Sequence, residues 1–188
     1  MKPFVILMYG PPCSGKSATV EMLMAKHKGL FRVSADRIKW FASGYASGGY
    51  RTEVANVVLA ITSSALAQGL PVMVEANATI LKNMWREYRA LAEKNNIGYF
   101  EINLEAPLDV LKERLRLRIA SSVARRKKIT LKDPSDLETR YEVYLAHKKD
   151  SIPTFDTSAV PLDEIVEKIE GMVGLLKPSV EDNQSLRT

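Results

Sequence analysis

Apolar and polar positions alternate along this chain in short runs and helical stripes. Phe4-Val5-Ile6-Leu7-Met8-Tyr9 is an uninterrupted apolar run stopped by Gly10, the pattern of a strand buried on both faces of a parallel sheet. A helix is expected from about Lys16, with Val20, Leu23 and Met24 inward. Leu30–Ser34 reads as a second strand, and Asp36–Phe41 as a short helical stretch after it. The segment 43–50, rich in Ser and Gly with Tyr45 and Tyr50, has the composition of a loop. Val54, Val57, Val58, Ile61 and Ala65 form one stripe of a helix closed by Gly69. Pro71–Glu75 is a third strand, and Leu81, Met84, Trp85, Tyr88 and Leu91 mark an amphipathic helix ending at Asn95-Asn96. Ile97–Leu104 is a fourth strand, in which Phe100, Ile102 and Leu104 alternate with Tyr99, Glu101 and Asn103.

Pro107 opens a long helix whose Leu108, Leu111, Leu115 and Ile119 recur at core spacing. Asp133-Pro134 reads as an N-cap followed by proline at the first helical position, with Leu137, Tyr141, Tyr144 and Leu145 inward. Thr154–Ser158 is a short fifth strand, and Pro161 begins a last helix through Val173. Its apolar side carries Leu162, Ile165, Val166, Ile169 and Met172. Strands alternating with helices predict an α/β fold, a five-stranded parallel sheet flanked by helices. One domain is expected over 1–176, followed by a polar tail at 177–188. Ligands of such folds bind beyond the carboxyl ends of the strands.

No apolar run approaches the roughly 18 residues of a membrane span, and the first apolar run is too short for a signal-peptide core. Cys13 is the single cysteine, so neither an internal disulfide nor a Cys-based zinc site is expected. These features point to a cytoplasmic setting without a membrane partner. The net charge of +5 is concentrated: Lys112–Lys132 holds nine of the 27 Lys and Arg residues and one of the 22 acids, Glu113. The remainder of the chain is therefore slightly acidic, and the basicity belongs to one anion-handling element. His27 and His147 stand alone on basic helical stretches and are expected to be exposed.

Gly10-Pro11-Pro12-Cys13-Ser14-Gly15-Lys16-Ser17 is a complete G-x4-G-K-S phosphate loop between a strand and a helix. Successive backbone N–H groups of such a loop cradle phosphate oxygens, and the helix N-terminus adds partial positive charge. Gly10, Cys13, Ser14, Gly15, Lys16 and Ser17 are thus candidate nucleotide contacts. Lys16 would reach the β- and γ-phosphates of ATP, and Ser17 would ligate Mg²⁺. Cys13 is either a reactive thiol or a small filler of its loop position. Asp36 falls at the carboxyl end of the second strand, where a carboxylate can orient an attacking hydroxyl; it could equally cap the stretch after it. Glu75 ends the third strand as a candidate Mg²⁺ ligand or as one member of a polar network. Arg114, Arg118, Ser121 and Arg125 share one face of the long helix, leading into Arg126-Lys127-Lys128. That face suits an arginine-rich lid, at about 114–134, closing over phosphates.

From Gly10 to Lys39 the chain resembles the polynucleotide-kinase-like P-loop kinases, the branch that includes the phage polynucleotide 5′-kinase. Val33-Ser34-Ala35-Asp36-Arg37-Ile38-Lys39 is similar to the family segment in which an aspartate precedes a basic residue by three positions. The resemblance implies that Asp36 is the general base and that Lys39, in place of the usual arginine, contacts an acceptor phosphate. Val74-Glu75-Ala76-Asn77-Ala78-Thr79 looks like the family's acid and polar run, which implies acceptor contacts for Glu75 and Asn77. Arg114 and Arg118 match the two lid arginines spaced four apart, implying ATP contacts and a catalytic role for Arg118; Arg125 would meet the acceptor. Phe155-Asp156-Thr157-Ser158 resembles the loop bordering adenine, which implicates Thr157. The implied activity is ATP- and Mg-dependent transfer to an acceptor hydroxyl, first of all a nucleic-acid 5′-hydroxyl. The alternative acceptor is a small molecule: a nucleoside, sugar acid, nucleotide-sugar or antibiotic. A nucleotide switch is a third reading, but no Asn-Lys-x-Asp guanine-reading motif occurs.

Overall fold

The computed structural model describes residues 2–41, 51–75, 78–124, 131 and 133–175. The expected loop tyrosines Tyr45 and Tyr50, the acceptor candidates Asn77 and Arg125, the basic run 126–128 and the tail 177–188 lie outside the described residues. Five strands, β1 (Phe4–Tyr9), β2 (Phe31–Ser34), β3 (Val72–Glu75), β4 (Gly98–Glu105) and β5 (Thr154–Asp156), form one sheet in the order β2-β3-β1-β4-β5. Every pairing is parallel. The helices are α1 (Lys16–Lys26), α2 (Ala35–Ile38), α3 (Arg51–Ala67), α4 (Ala78–Lys94), α5 (Leu108–Ala124), α6 (Pro134–Leu145) and α7 (Leu162–Met172). A 3₁₀ turn, Lys39–Phe41, follows α2.

The all-apolar β1 is explained by its place at the centre of the sheet. Val5 and Leu7 enter a core with Val33, Val72 and Val74 and with Val58, Tyr88 and Ala92 of α3 and α4. Phe4, Ile6 and Met8 face the opposite core, made with Val20 and Leu23 of α1 and Ile165, Val166 and Ile169 of α7. A third cluster, Ala106, Leu111, Leu115, Leu131 and Leu137, joins α5 to α6. The Asp133 cap is as expected: its carboxylate accepts the Ser135 N–H at 2.8 Å, with Pro134 at the first helical position.

Several inward assignments are corrected. Met24, Val57 and Leu145 are 39%, 46% and 51% exposed; each lies at the margin of its stripe, where a one-position error of helical phase reaches solvent. Thr19 fills the α1 interface instead, fully buried. On β4, Glu101 and Asn103 are covered because the sheet is buried on both faces. Glu101 pairs with Lys149 at 2.7 Å, and Asn103 donates to the Tyr144 hydroxyl at 2.7 Å. His147 is exposed, but His27 is not: its Nε2 lies 2.6 Å from Glu170 Oε1, and Lys26 donates to Glu170 Oε2 at 2.7 Å. Glu170 is 3% exposed and staples the end of α1 to α7. Burial alone would raise its carboxyl, but the Lys26 and His27 hydrogen bonds prevail and hold it below the usual carboxylate value.

Candidate functional site

The sheet register assembles the site. Met8 of β1 pairs with Glu75 of β3, and Glu75 pairs with Ser34 of β2. Gly10 and Asp36 therefore both lie two residues past the row that Glu75 occupies, at the carboxyl ends of β1 and β2, the two strands that flank β3. The phosphate loop emerges from the central strand β1, and the two strands that deliver these carboxylates, β3 and β2, lie in succession on one side of it.

The loop depends on backbone conformations that side chains resist. Gly10 has φ +133°, and a Cβ there would fall 2.0 Å from the Leu104 carbonyl oxygen and 2.7 Å from Ser14 Oγ. Gly15, with φ +94°, precedes α1 as its N-cap, and no side chain caps the first turn. The first N–H groups of α1 are thus left to an external acceptor. Cys13 also adopts positive φ, at 65°, with its side chain partly packed against the α5–α6 cluster. Ser14 is fully buried.

Lys16 curls over its own loop, donating to the Gly10 and Pro11 carbonyls at 2.8 and 2.7 Å and to Ser14 Oγ at 3.4 Å. Burial pulls its ammonium down to about 8, opposed by the charges of Asp36 and Glu75; Arg118 adds to the lowering. These three side chains are thus within electrostatic reach of Lys16. Arg118 is exposed on α5.

Ser17 donates to Glu75 Oε2 at 2.6 Å. The other oxygen of Glu75 is held by Arg32, which also reaches Glu21 at 2.9 Å. Glu75 is only 7% exposed and joins Ser17 and Arg32 in one polar network. Among the described residues there is no group of three or more His, Cys, Asp or Glu side chains able to hold a metal. Mg²⁺ does not need one: it keeps several waters and takes one or two protein oxygens beside substrate phosphates. A hydroxyl and a carboxylate oxygen meeting beside the loop fit that pattern.

Asp36 sits in the first turn of α2, whose N-cap is Ser34, so the capping alternative does not hold. Its side chain is 65% exposed and pairs with Lys39 at 2.5 Å, while Lys39 is 4% exposed. Arg37 instead reaches Glu21 at 3.6 Å. On the other wall, Arg114 donates to the Cys13 carbonyl at 3.3 Å, and to Thr157 Oγ1 and the Thr157 carbonyl, each at 2.7 Å. Thr157 in turn donates its backbone N–H to the Glu105 carbonyl at 2.8 Å. One guanidinium therefore fastens α5 and the β5–α7 turn to the loop. Hydrogen bonds thus join Ser17 to Glu75 and Arg114 to Cys13 and Thr157 at the loop, while Asp36 pairs with Lys39 just past β2. Arg32 was not singled out in the sequence; its signal was an arginine in a strand two positions before the row of a strand-end glutamate.

A central strand, a phosphate loop and flanking strand-end acids define the fold of a P-loop kinase. The profile of the AAA domain family matches residues 5–141, well over half the chain, and the chain belongs to that family. No curated protein sequence matches it. Among solved structures, a putative kinase from Chloroflexus aurantiacus superimposes with TM-score 0.67 at 19% identity, covering 91% of this chain and 98% of that one. A tunicamycin resistance protein from Deinococcus radiodurans gives 0.62 at 19% identity, over 95% of this chain and 100% of that one. A chain of the Pnkp1/Rnl/Hen1 RNA repair complex gives 0.62 at 18% identity, over 78% of this chain and 45% of that one. Among the described residues, no helix is long and apolar enough to cross a membrane.

Proposed function

We propose that this chain is an ATP- and Mg-dependent kinase that moves the γ-phosphoryl of ATP to an acceptor hydroxyl oriented by Asp36. The observation that carries this reading is the phosphate loop itself: an α1 N-terminus without a side-chain cap behind Gly15, Lys16 folded over the loop carbonyls, and Ser17 joined to the strand-end Glu75. The uncapped first turn of α1 and the loop N–H groups receive the phosphates. On binding, Lys16 exchanges the Gly10 and Pro11 carbonyls for phosphate oxygens. Ser17 and Glu75 would hold Mg²⁺, which neutralises charge on the phosphates when bound. Asp36, exposed at the strand end, accepts the proton of the acceptor hydroxyl as that oxygen attacks in line. Arg118, exposed on α5, stabilises charge on the transferring group, while Arg114 and Thr157 frame the nucleotide's far side. The basic face of α5 serves as the lid.

For the acceptor, the concentration of nine basic residues in Lys112–Lys132 supports a nucleic-acid 5′-hydroxyl, since a basic channel gains from each phosphate it meets. A separate observation favours a small hydroxyl compound. Lys39, the candidate contact for an acceptor phosphate, is buried against Asp36, and Lys112 and Arg116 are paired with Glu138 and Glu113. The similar tunicamycin resistance protein also spans nearly all of this chain. A γ-labelled ATP screen over 5′-hydroxyl oligonucleotides of increasing length and a panel of sugars, nucleosides and antibiotics separates the two. Rates that rise with oligonucleotide length and fall with salt support the nucleic-acid acceptor. Turnover confined to a small compound supports the second reading, and no transfer to any acceptor overturns the kinase.

A further inference from the structure

Away from the phosphate loop, a cleft of about 440 Å³ opens beside the amino-terminal half of β4. It exists because β5 pairs with β4 only over Asn103–Glu105, whereas β4 pairs with β1 from Gly98 onward. Asn103 donates its N–H to the Pro153 carbonyl on the β5 side. By strand alternation the backbone groups of Tyr99 and Glu101 point to the same side, where no strand is paired among the described residues. One wall is apolar, built from Phe100, Ile152, Pro153 and Met172; the other carries Trp85, Arg89, Tyr99, Glu101 and Lys149.

The charges on that wall are not equivalent. Lys149 lies 4.1 Å from the centre of the Trp85 ring and is neutralised by Glu101 at 2.7 Å. Arg89 lies over Trp85 at 5.5 Å and Tyr99 at 5.4 Å, and among the described residues no carboxylate pairs with it. The cleft thus offers one planar guanidinium, oriented by two rings, opposite an apolar wall. Its volume is in the range of small-molecule sites, its lining sets apolar side chains beside polar and charged ones, and a guanidinium fork is matched to carboxylate or phosphate.

We infer that this cleft binds a small monoanionic compound with an apolar body, its anion forked by Arg89 and its body laid against Ile152, Pro153 and Met172. The proposal does not rest on the kinase reading, because none of the residues that line the cleft belongs to the phosphate loop.

Trp85 provides the readout. The chain has two tryptophans, so Trp40→Phe leaves Trp85 as the sole one, and phenylacetate is the probe. The expected result is a saturable change in Trp85 emission with Kd in about the millimolar range or below. Neutral phenylethanol should bind roughly tenfold more weakly or worse, and Arg89→Gln should weaken phenylacetate by roughly tenfold or more. Arg89 is exposed, so the variant should melt with its parent; if it does not, Arg89→Lys, which keeps the charge and loses the fork, should bind between the two. Absence of saturable emission change, equal binding of acid and alcohol, or unchanged binding in Arg89→Gln would overturn the inference.

Discussion

Gly10→Ala tests the tight packing of the loop against β4. The added Cβ would sit 2.0 Å from the Leu104 carbonyl oxygen, where carbon–oxygen contacts run to about 3.3 Å. The obstacle is the backbone of β4, held between β1 and β5, so it cannot swing aside as a side chain would. The φ of +133° adds a conformation that L-residues avoid, at roughly 1–3 kcal/mol, and the overpacking adds a further roughly 1–3 kcal/mol. Together these predict a loss of about 2–6 kcal/mol, or on the order of 5–20 °C in Tm for a domain of this size. Gly29→Ala is the control, because its φ is +89° with nothing within 4 Å of the added atom; it carries the conformational cost without the clash. Thermal melts with and without ATP and Mg²⁺ should show a small loss and full nucleotide stabilisation for Gly29→Ala. Gly10→Ala should show the larger loss and no nucleotide stabilisation. Equal melts for the two variants, both still stabilised by ATP, would refute the reasoning.

Asp36→Asn should retain ATP binding and lower kcat by about 10²–10⁴, the usual contribution of a positioned general base; a collapse of ATP affinity with normal turnover of the bound complex would show a structural role instead. Arg118→Ala should reduce kcat more than ATP affinity, as expected for a group acting on transition-state charge. Arg116→Ala on the same helix, paired outward with Glu113, should change neither, and equal losses in the two would remove the Arg118 assignment. Glu170→Gln should lower Tm at neutral pH. Because the folded carboxyl is held below its ordinary value of 4.5, its contribution is full above that value and is lost as pH falls through the folded one. The gap between wild type and variant should therefore narrow below about pH 4.5, and a gap that stays constant with pH would rule out the ionised staple.

The sheet was legible because β1 is apolar without interruption and each later strand is followed by a helical stripe. The loop was legible because its fixed residues are contiguous. Asp36 and Glu75 could be placed at strand ends from the pattern, but their partners could not. The bond from Arg32 to Glu75 crosses between β2 and β3, and that from Arg114 to Cys13 and Thr157 spans three separate elements. Such contacts depend on register and helix placement, which periodicity does not encode. His27 was misjudged for the same reason: a histidine on a basic stretch looks solvated until α7 brings Glu170 against it. The outer edges of helical stripes, as at Met24 and Val57, failed because one residue of phase separates core from solvent.

The central claim is that the loop around Lys16 performs phosphoryl transfer, and its most direct test is the single-turnover rate from γ-labelled ATP to the acceptor that the screen identifies, in wild type and Lys16→Ala. The account predicts near-complete loss of transfer in a variant that folds and melts like the wild type, because the γ-phosphate loses its charge partner. Transfer at close to the wild-type rate in that folded variant would contradict it.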